Sequence, residues 1–346
     1  MRVLLSVLVI GLLGLTLGRL EPAEGQFYKG KTIRIVVGAA PGGSFDLHAR
    51  LLARHIAKHI PGNPTIIVDN MPGAGQLIAA NHVYKLARPD GLTIGSFTGG
   101  LFLQEVLGIN PGIEFEGIKY IPLGVTFQAT DVLVLRKETG IKSLEELMRA
   151  KRPVKIGVSA PGSNLYDNPA IMTEALGLPI QLVSGYKGFA DIRLAVEGGE
   201  VDGISVSWET IKQFWGETLL KNRDIIPIAQ TALTERLPEL PNVPTAMESA
   251  KTEEARQLIK HGVVDVARIL GVYALRPGTS KDRIETLRKA FETTVKDPEI
   301  LADAEKSKIE IKPLRGGEVE RIIAGLGKMD PSVKVKLKEI LAPKKR

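Results

Sequence analysis

At 346 residues, 44% hydrophobic and 25% charged, with 36 glycines and 21 prolines, the chain is long enough for two lobes with separate cores and too apolar to be disordered or fibrous. It has no cysteine, which excludes a disulfide framework, a thiol nucleophile and a lipid-modified mature N-terminus. The net charge of +7 favours anions, but the cations are scattered, Lys344-Lys345-Arg346 is the one basic run of three, and aromatics are 5%, a poor composition for gripping nucleic acid. The chain opens with the charged Met1-Arg2, an apolar run from Val3 to Leu17 and the small-x-small Ala23-Glu24-Gly25. This pattern predicts a secretory signal peptide over residues 1–25. The alternative, an uncleaved membrane anchor, needs about 20 apolar residues.

The mature part begins with the β-branched strand Lys31 to Gly38, followed by a helix from Ser44 to His59 whose Ala49, Leu52, Ala53, Ile56 and Ile60 share one face. A strand from Pro64 to Asp69, a helix from Gly75 to Leu86 and a strand from Leu92 to Ser96 complete a β-α-β-α-β run, the pattern of a mostly parallel sheet. Ala129 to Arg136 reads as a strand carrying the chain into a second lobe. After the helix Ser143 to Ala150 the plan repeats, with strands Val154 to Ser159, Ile180 to Ser184 and Val201 to Ser207. Gly271 to Pro277 reads as the returning strand, and helices Lys281 to Thr294 and Gly317 to Gly327 close the chain. The expected division is a first lobe of 26–128 and 255–346 and a second of 129–254, with a cleft between them that closes by hinge motion.

Two strand-to-helix turns match between the lobes: Ala40-Pro41-Gly42-Gly43-Ser44 and Ala160-Pro161-Gly162-Ser163-Asn164. Glycine permits positive φ and close approach of the backbone, and the first turn of a helix has unpaired N–H groups at its positive end. Ser44, and either Ser163 or Asn164, are good N-cap residues that could also donate a hydroxyl or amide hydrogen bond outward. A third turn, Gly185-Tyr186-Lys187-Gly188-Phe189-Ala190-Asp191, repeats the geometry and adds a cation. Turned to one cleft, these bends suit a carboxylate or phosphate; taken singly, such bends usually only cap helices. Asp46 is read as compensating the helix dipole, with the ammonium of an amino-acid ligand as the alternative.

Other chemistry is weakly signalled. Gly73-Ala-Gly75-Gln-Leu-Ile78 starts like a dinucleotide fingerprint but has Ile78 in place of the third glycine, and neither a phosphate loop nor a nucleophile elbow is present. His48, His55 and His59 share an arc of one helix, and the His55/His59 spacing is one zinc sites use, but they read as boundary histidines with no acidic partner placed to orient them. Trp208 and Tyr166 are read as core rings that offer stacking as the alternative. The rival class is an exported hydrolase or metalloenzyme.

The segments PGGSFDLHAR, IPGNPTIIVDNMPGAGQLIAAN, RPDGLTIG, YKGFADI, GGEVDG, LPNVPTAMES and RPGTSKDRIETLRKAFETTVKDPEI occur in order across nearly the whole mature chain. Together they resemble the extracytoplasmic solute receptors of tripartite tricarboxylate transporters, the Bug family of periplasmic binding proteins. The resemblance implies an α/β, two-lobed Venus-flytrap fold of type II, no catalysis and no cofactor or metal. It also implies a monomer in the periplasm, a small carboxylate ligand and delivery to membrane permease subunits, or a signalling role in place of uptake. Carried over, the first pincer is Pro41, Gly42, Gly43, Ser44, Phe45 and Asp46. The second is Tyr186, Lys187, Gly188, Phe189, Ala190 and Asp191, with Gly162, Ser163 and Asn164 beside it. Phe45, Phe97, Thr98, Tyr166 and Trp208 are the candidates for the cleft wall. Three departures stand out: Gly75-Gln76 where the family has Gly-Gly, Ser184-Gly185 before Tyr186 where it tends to Val-Pro, and the stretch Val263 to Leu270.

Overall fold

The computed structural model describes residues 27–342, so the predicted signal peptide and the basic tail lie outside the described residues. The first lobe runs β1 (Thr32–Val37), α1 (Ser44–Ile56), β2 (Thr65–Asn70), α2 (Leu77–Lys85), β3 (Thr93–Thr98), α3 (Gly100–Leu107) and β4 (Ile121–Val125). A buried connector leads to the second: β5 (Asp131–Arg136), β6 (Val154–Gly157), α4 (Asn164–Leu176), β7 (Ile180–Val183), α5 (Phe189–Glu197), β8 (Gly203–Ser207), α6 (Trp208–Trp215) and β9 (Ile225–Gln230). The chain returns through α7 (Glu253–Ile259) and β10 (Gly271–Leu275) and ends with α8 (Lys281–Thr294), α9 (Pro298–Lys306), β11 (Leu314–Arg315), α10 (Gly316–Gly327) and α11 (Pro331–Leu341).

The two sheets share one plan, β11-β4-β10-β3-β1-β2 and β7-β6-β8-β5-β9. In the first, β1 pairs in parallel with β2 and β3; in the second, β6 pairs in parallel with β7 and β8. Each sheet then takes in the strand that carries the chain across, β10 or β5, antiparallel to its neighbours on both sides. Hydrogen-bond ladders flank both crossing strands, so each lobe holds its own end of the hinge rigidly. This is the two-lobed type II periplasmic-binding-protein fold that the β-α alternation and the resemblance predict. The parallel strands of each lobe end at one edge, where the connections to α1, α3, α4 and α5 emerge.

The structure adds elements that the sequence pattern did not reveal. β4 and β9 contain Pro122 and Pro227, residues that argue against a paired strand, and both prolines sit where the register shifts by a bulge. α9 and α11 start with Pro298 and Pro331 behind the capping aspartates Asp297 and Asp330, a start signal that was present but unread. The boundary expected at residue 255 also moves. Ala255 and Ile259 pack into the second lobe's core with Leu133, Ile156 and Met172, while Leu258 and Val263 join the first lobe's core. That first core also takes in Ile171 of α4 and Leu337 and Leu341 of α11, and Lys336 meets Glu174 at 2.6 Å. The lobes therefore share an apolar seam beyond the two crossing strands.

Candidate functional site

The first pincer leaves β1 at Gly38 and turns at Gly42, whose φ of +82° is a left-handed conformation that a Cβ disfavours. Gly42 N–H donates to Asp46 Oδ2 at 2.8 Å, closing the turn against the first turn of α1. The N-cap is Gly43, with no side chain to cap, so the peptide N–H groups of Ser44 and Phe45 have no acceptor among the described residues. Pro41, Gly42, Gly43 and Ser44 are exposed at the tip. Asp46, only 2% exposed, is braced from three sides: Arg50 Nε donates to Oδ2 at 2.9 Å and Asn70 Nδ2 to Oδ1 at 2.9 Å, besides Gly42. Burial pushes this carboxyl up, but the hydrogen bonds from Arg50, Gly42 and Asn70 outweigh it and hold it below its ordinary range. With both oxygens engaged, Asp46 is a brace, as the dipole reading expects, and its carboxylate is not free for a ligand ammonium.

The second-lobe turn repeats the device. Gly162 has φ +91°, and its N–H donates to Asp167 Oδ1 at 2.9 Å. Ser163 is the N-cap by position but not by side chain: its hydroxyl meets Ser159 Oγ and the Ala160 carbonyl. Asn164 likewise turns inward, donating to the buried Asp131 at 3.2 Å. The side-chain caps expected at Ser44 and at Ser163 or Asn164 are therefore absent, because the glycine N-cap shifts the first and internal hydrogen bonds capture the other two. What remains without an acceptor among the described residues is backbone, the N–H groups of Ser163, Asn164 and Leu165. No cation faces Asp167, and desolvation pushes it up to about 7 against the hydrogen bond from Gly162.

In the third turn Lys187 N–H donates to Asp191 Oδ2 at 3.1 Å, leaving the N–H groups of Gly188, Phe189 and Ala190 without acceptors. The Tyr186 hydroxyl donates to Glu200 at 2.6 Å, and the Phe189 ring packs on Phe214 and Trp215. Lys187 is exposed and has no carboxylate partner among the described residues. Three helix starts thus carry the same arrangement, a loop N–H tied to a first-turn aspartate and free peptide donors ahead of it.

The Gly162 turn meets the first lobe, and the first pincer meets the connector. A Cβ on Gly162 would lie 3.4 Å from Nε2 of Gln104 on α3, the helix that follows β3 in the first lobe. Phe45 stacks edge-on against Phe127 of the connector, with ring centroids 5.2 Å apart. The proposed wall residues divide. Phe97 is fully buried against Phe102 and Tyr120, Trp208 is 4% exposed with its indole N–H on Glu239, and Tyr166 lines a cavity of about 490 Å³ with Glu174 and Lys336. The cleft-wall role expected of Phe97 and Trp208 is corrected by this burial: their rings belong to the cores, as the large apolar area of an aromatic ring favours. Thr98 stays at the end of β3, accepting from Gly100 N–H and donating its own N–H to Gln76 Oε1 at 2.9 Å.

The histidines of α1 find partners that only the tertiary fold supplies. His55 Nε2 lies 2.9 Å from Asp303 and His59 Nε2 2.7 Å from Asp297, so the expectation that no carboxylate orients them is overturned by the incoming α9. His48 is buried against Phe127, and desolvation lowers it to about 4. Among the described residues no three His, Asp or Glu side chains gather as metal ligands, and no helix is long and apolar enough to cross a membrane.

The family model described as tripartite tricarboxylate transporter family receptor matches residues 48–328. The chain belongs to that family. This receptor is 26% identical over 295 residues to the protein of the tcbD-tcbE intergenic region of Pseudomonas sp. strain P51, covering 82% of this chain and 84% of that one. Its fold is that of a TctC solute binding protein from Polaromonas, with a TM-score of 0.68 at 18% identity over 90% of this chain and 98% of that one. Two Rhodopseudomonas palustris proteins are also similar, MatC with bound malate (TM-score 0.60, 21% identity, 90% and 99% coverage) and one with adipate (0.63, 20%, 90% and 97%). The family and its structural neighbours are solute-binding proteins of the periplasm and not enzymes, which sets aside the hydrolase and metalloenzyme alternative.

Proposed function

We propose that this receptor captures a small carboxylate between its lobes, in the periplasm after removal of residues 1–25, and as a monomer delivers it to the permease subunits of a tripartite transporter. The observation that carries this reading is the triplicate of helix starts, at Ser44-Phe45, Ser163-Asn164-Leu165 and Gly188-Phe189-Ala190, whose peptide N–H groups lack acceptors. Fixed peptide dipoles at the positive ends of helices hold an anion without burying an unpaired cation. At the first two starts the aspartates do not cancel this: Asp46 is matched by Arg50, and Asp167 is held toward its neutral form. The neighbours that carry malate and adipate support a carboxylate as the guest. Lys187, exposed beside the third turn, supplies attraction on approach.

The test is a thermal-shift screen of the purified protein against mono-, di- and tricarboxylates, aromatic acids, acidic amino acids and phosphate. A bound acid at a hundredfold excess over its Kd stabilises the folded state by about 2.7 kcal/mol and raises Tm accordingly. No shift with any acid overturns the proposal.

A further inference from the structure

Gln76 stands where the turn before α2 meets the ends of β1 and β3. Its φ of +76° is a conformation that glycine takes freely and that a Cβ makes unfavourable. The surroundings fix it there. Gln76 Oε1 accepts the Thr98 N–H at 2.9 Å, and its Cβ lies so close to the first pincer's root that a methyl group on Gly38 would come within 2.6 Å of it. A peptide N–H only donates, so the amide oxygen must face Thr98, and Nε2 faces away from it. Nε2 has no acceptor among the described residues and is not sealed from solvent. The side chain therefore presents two N–H donors and no acceptor at the edge of the sheet from which the first pincer rises.

Resting on the carboxylate reading of the cleft, we infer that Gln76 is a specificity-determining residue: its Nε2 donates to a second carboxylate of the bound acid, so the receptor prefers dicarboxylates to monocarboxylates of the same length. The first carboxylate takes the peptide donors of the pincers. A neutral amide then suits a second anionic group, which accepts only, and disfavours an ammonium, which only donates. Asp46 gives an ammonium no alternative, since both its oxygens are engaged. The first lobe's wall thus discriminates against amino acids as well.

Calorimetry on the wild type, Gln76→Gly and Gln76→Glu tests this, with succinate, malate and adipate paired against butyrate and hexanoate. The wild type is expected to bind each diacid at least tenfold more tightly than its monoacid counterpart. Gln76→Gly relieves the left-handed strain and removes the donors, so Tm holds or rises while that ratio falls toward one. Gln76→Glu keeps an acceptor for Thr98 N–H but sets a negative oxygen where Nε2 was, so it lowers diacid affinity more than monoacid affinity, and it carries the test should the glycine variant not fold. An unchanged ratio in folded variants, with only Tm altered, makes Gln76 a structural cap and overturns the inference. If the wild type binds none of these acids, the carboxylate reading fails and this inference falls with it.

Discussion

Asp46 in the first lobe receives Gly42, Asn70 and the cation Arg50, whereas Asp167 in the second receives Gly162 alone and faces no cation. The turns in front of them are built alike, with a left-handed glycine at Gly42 and at Gly162. The backbone device is therefore separable from its electrostatic support: the first pincer holds its aspartate ionised, and burial holds Asp167, in the turn beside the second pincer, toward the neutral acid. The first turn is consequently expected to be indifferent to pH around neutrality, and the Gly162 turn sensitive to it.

The largest effect that bears on this contrast is expected from Asp46→Ala. It removes the acceptor shared by the Gly42 N–H, the Asn70 amide and Arg50, and should cost about 1–3 kcal/mol in denaturant unfolding. Asp167→Ala, losing one hydrogen bond and no ion pair, should cost less; equal losses would show that the two braces are equivalent. Next comes the backbone. Gly42→Val forces a β-branched residue into positive φ at about 1–2 kcal/mol. Gly43 has an extended φ of −79°, and a Cβ there meets only the Ala40 carbonyl at 3.6 Å. Gly43→Val should therefore fold normally while its methyl groups screen the Ser44 and Phe45 amides, weakening carboxylate binding at least tenfold, or about 1.4 kcal/mol. An unaltered Kd would remove the first pincer from the site.

The last contrast is the pH dependence. Asp167 titrates near 7 in the folded protein and near 3.8 unfolded, so between these values the native state keeps a proton that the unfolded chain has lost. Its contribution to stability is greatest at acid pH, declines as pH rises through this window and is level above it. Ionisation also sets a negative charge behind the Gly162 turn, so carboxylate affinity should fall from pH 6 to pH 8. Asp167→Asn should flatten both profiles, whereas Asp46→Asn should leave the trend in place. A pH dependence that survives Asp167→Asn would assign it elsewhere.

Much of the fold is legible in local pattern, since β-branched runs followed by glycine turns and apolar helical stripes recur in both halves of the chain. The same turns nominate the pincers. What escaped follows from context. Pro122 and Pro227 mask β4 and β9 because a bulge that admits proline exists only when the partner strand is present. Phe97 reads as a cleft-wall candidate, and Trp208 as core with stacking as the alternative, because hydrophobicity does not say which side of a strand end is covered. Gln76 is visible as a departure from a glycine pair, but its left-handed backbone and bond to Thr98 are not.

The sequence by itself determined the two β-α repeats, the matched glycine bends and the family, because propensity, periodicity and turn chemistry act over a few residues. Only the tertiary structure decided which aspartate keeps its charge, where α9 supplies carboxylates to His55 and His59, and that Gly162 faces Gln104 across the lobes. Those outcomes depend on desolvation and on partners up to 248 residues distant, as between His55 and Asp303, which no local pattern encodes.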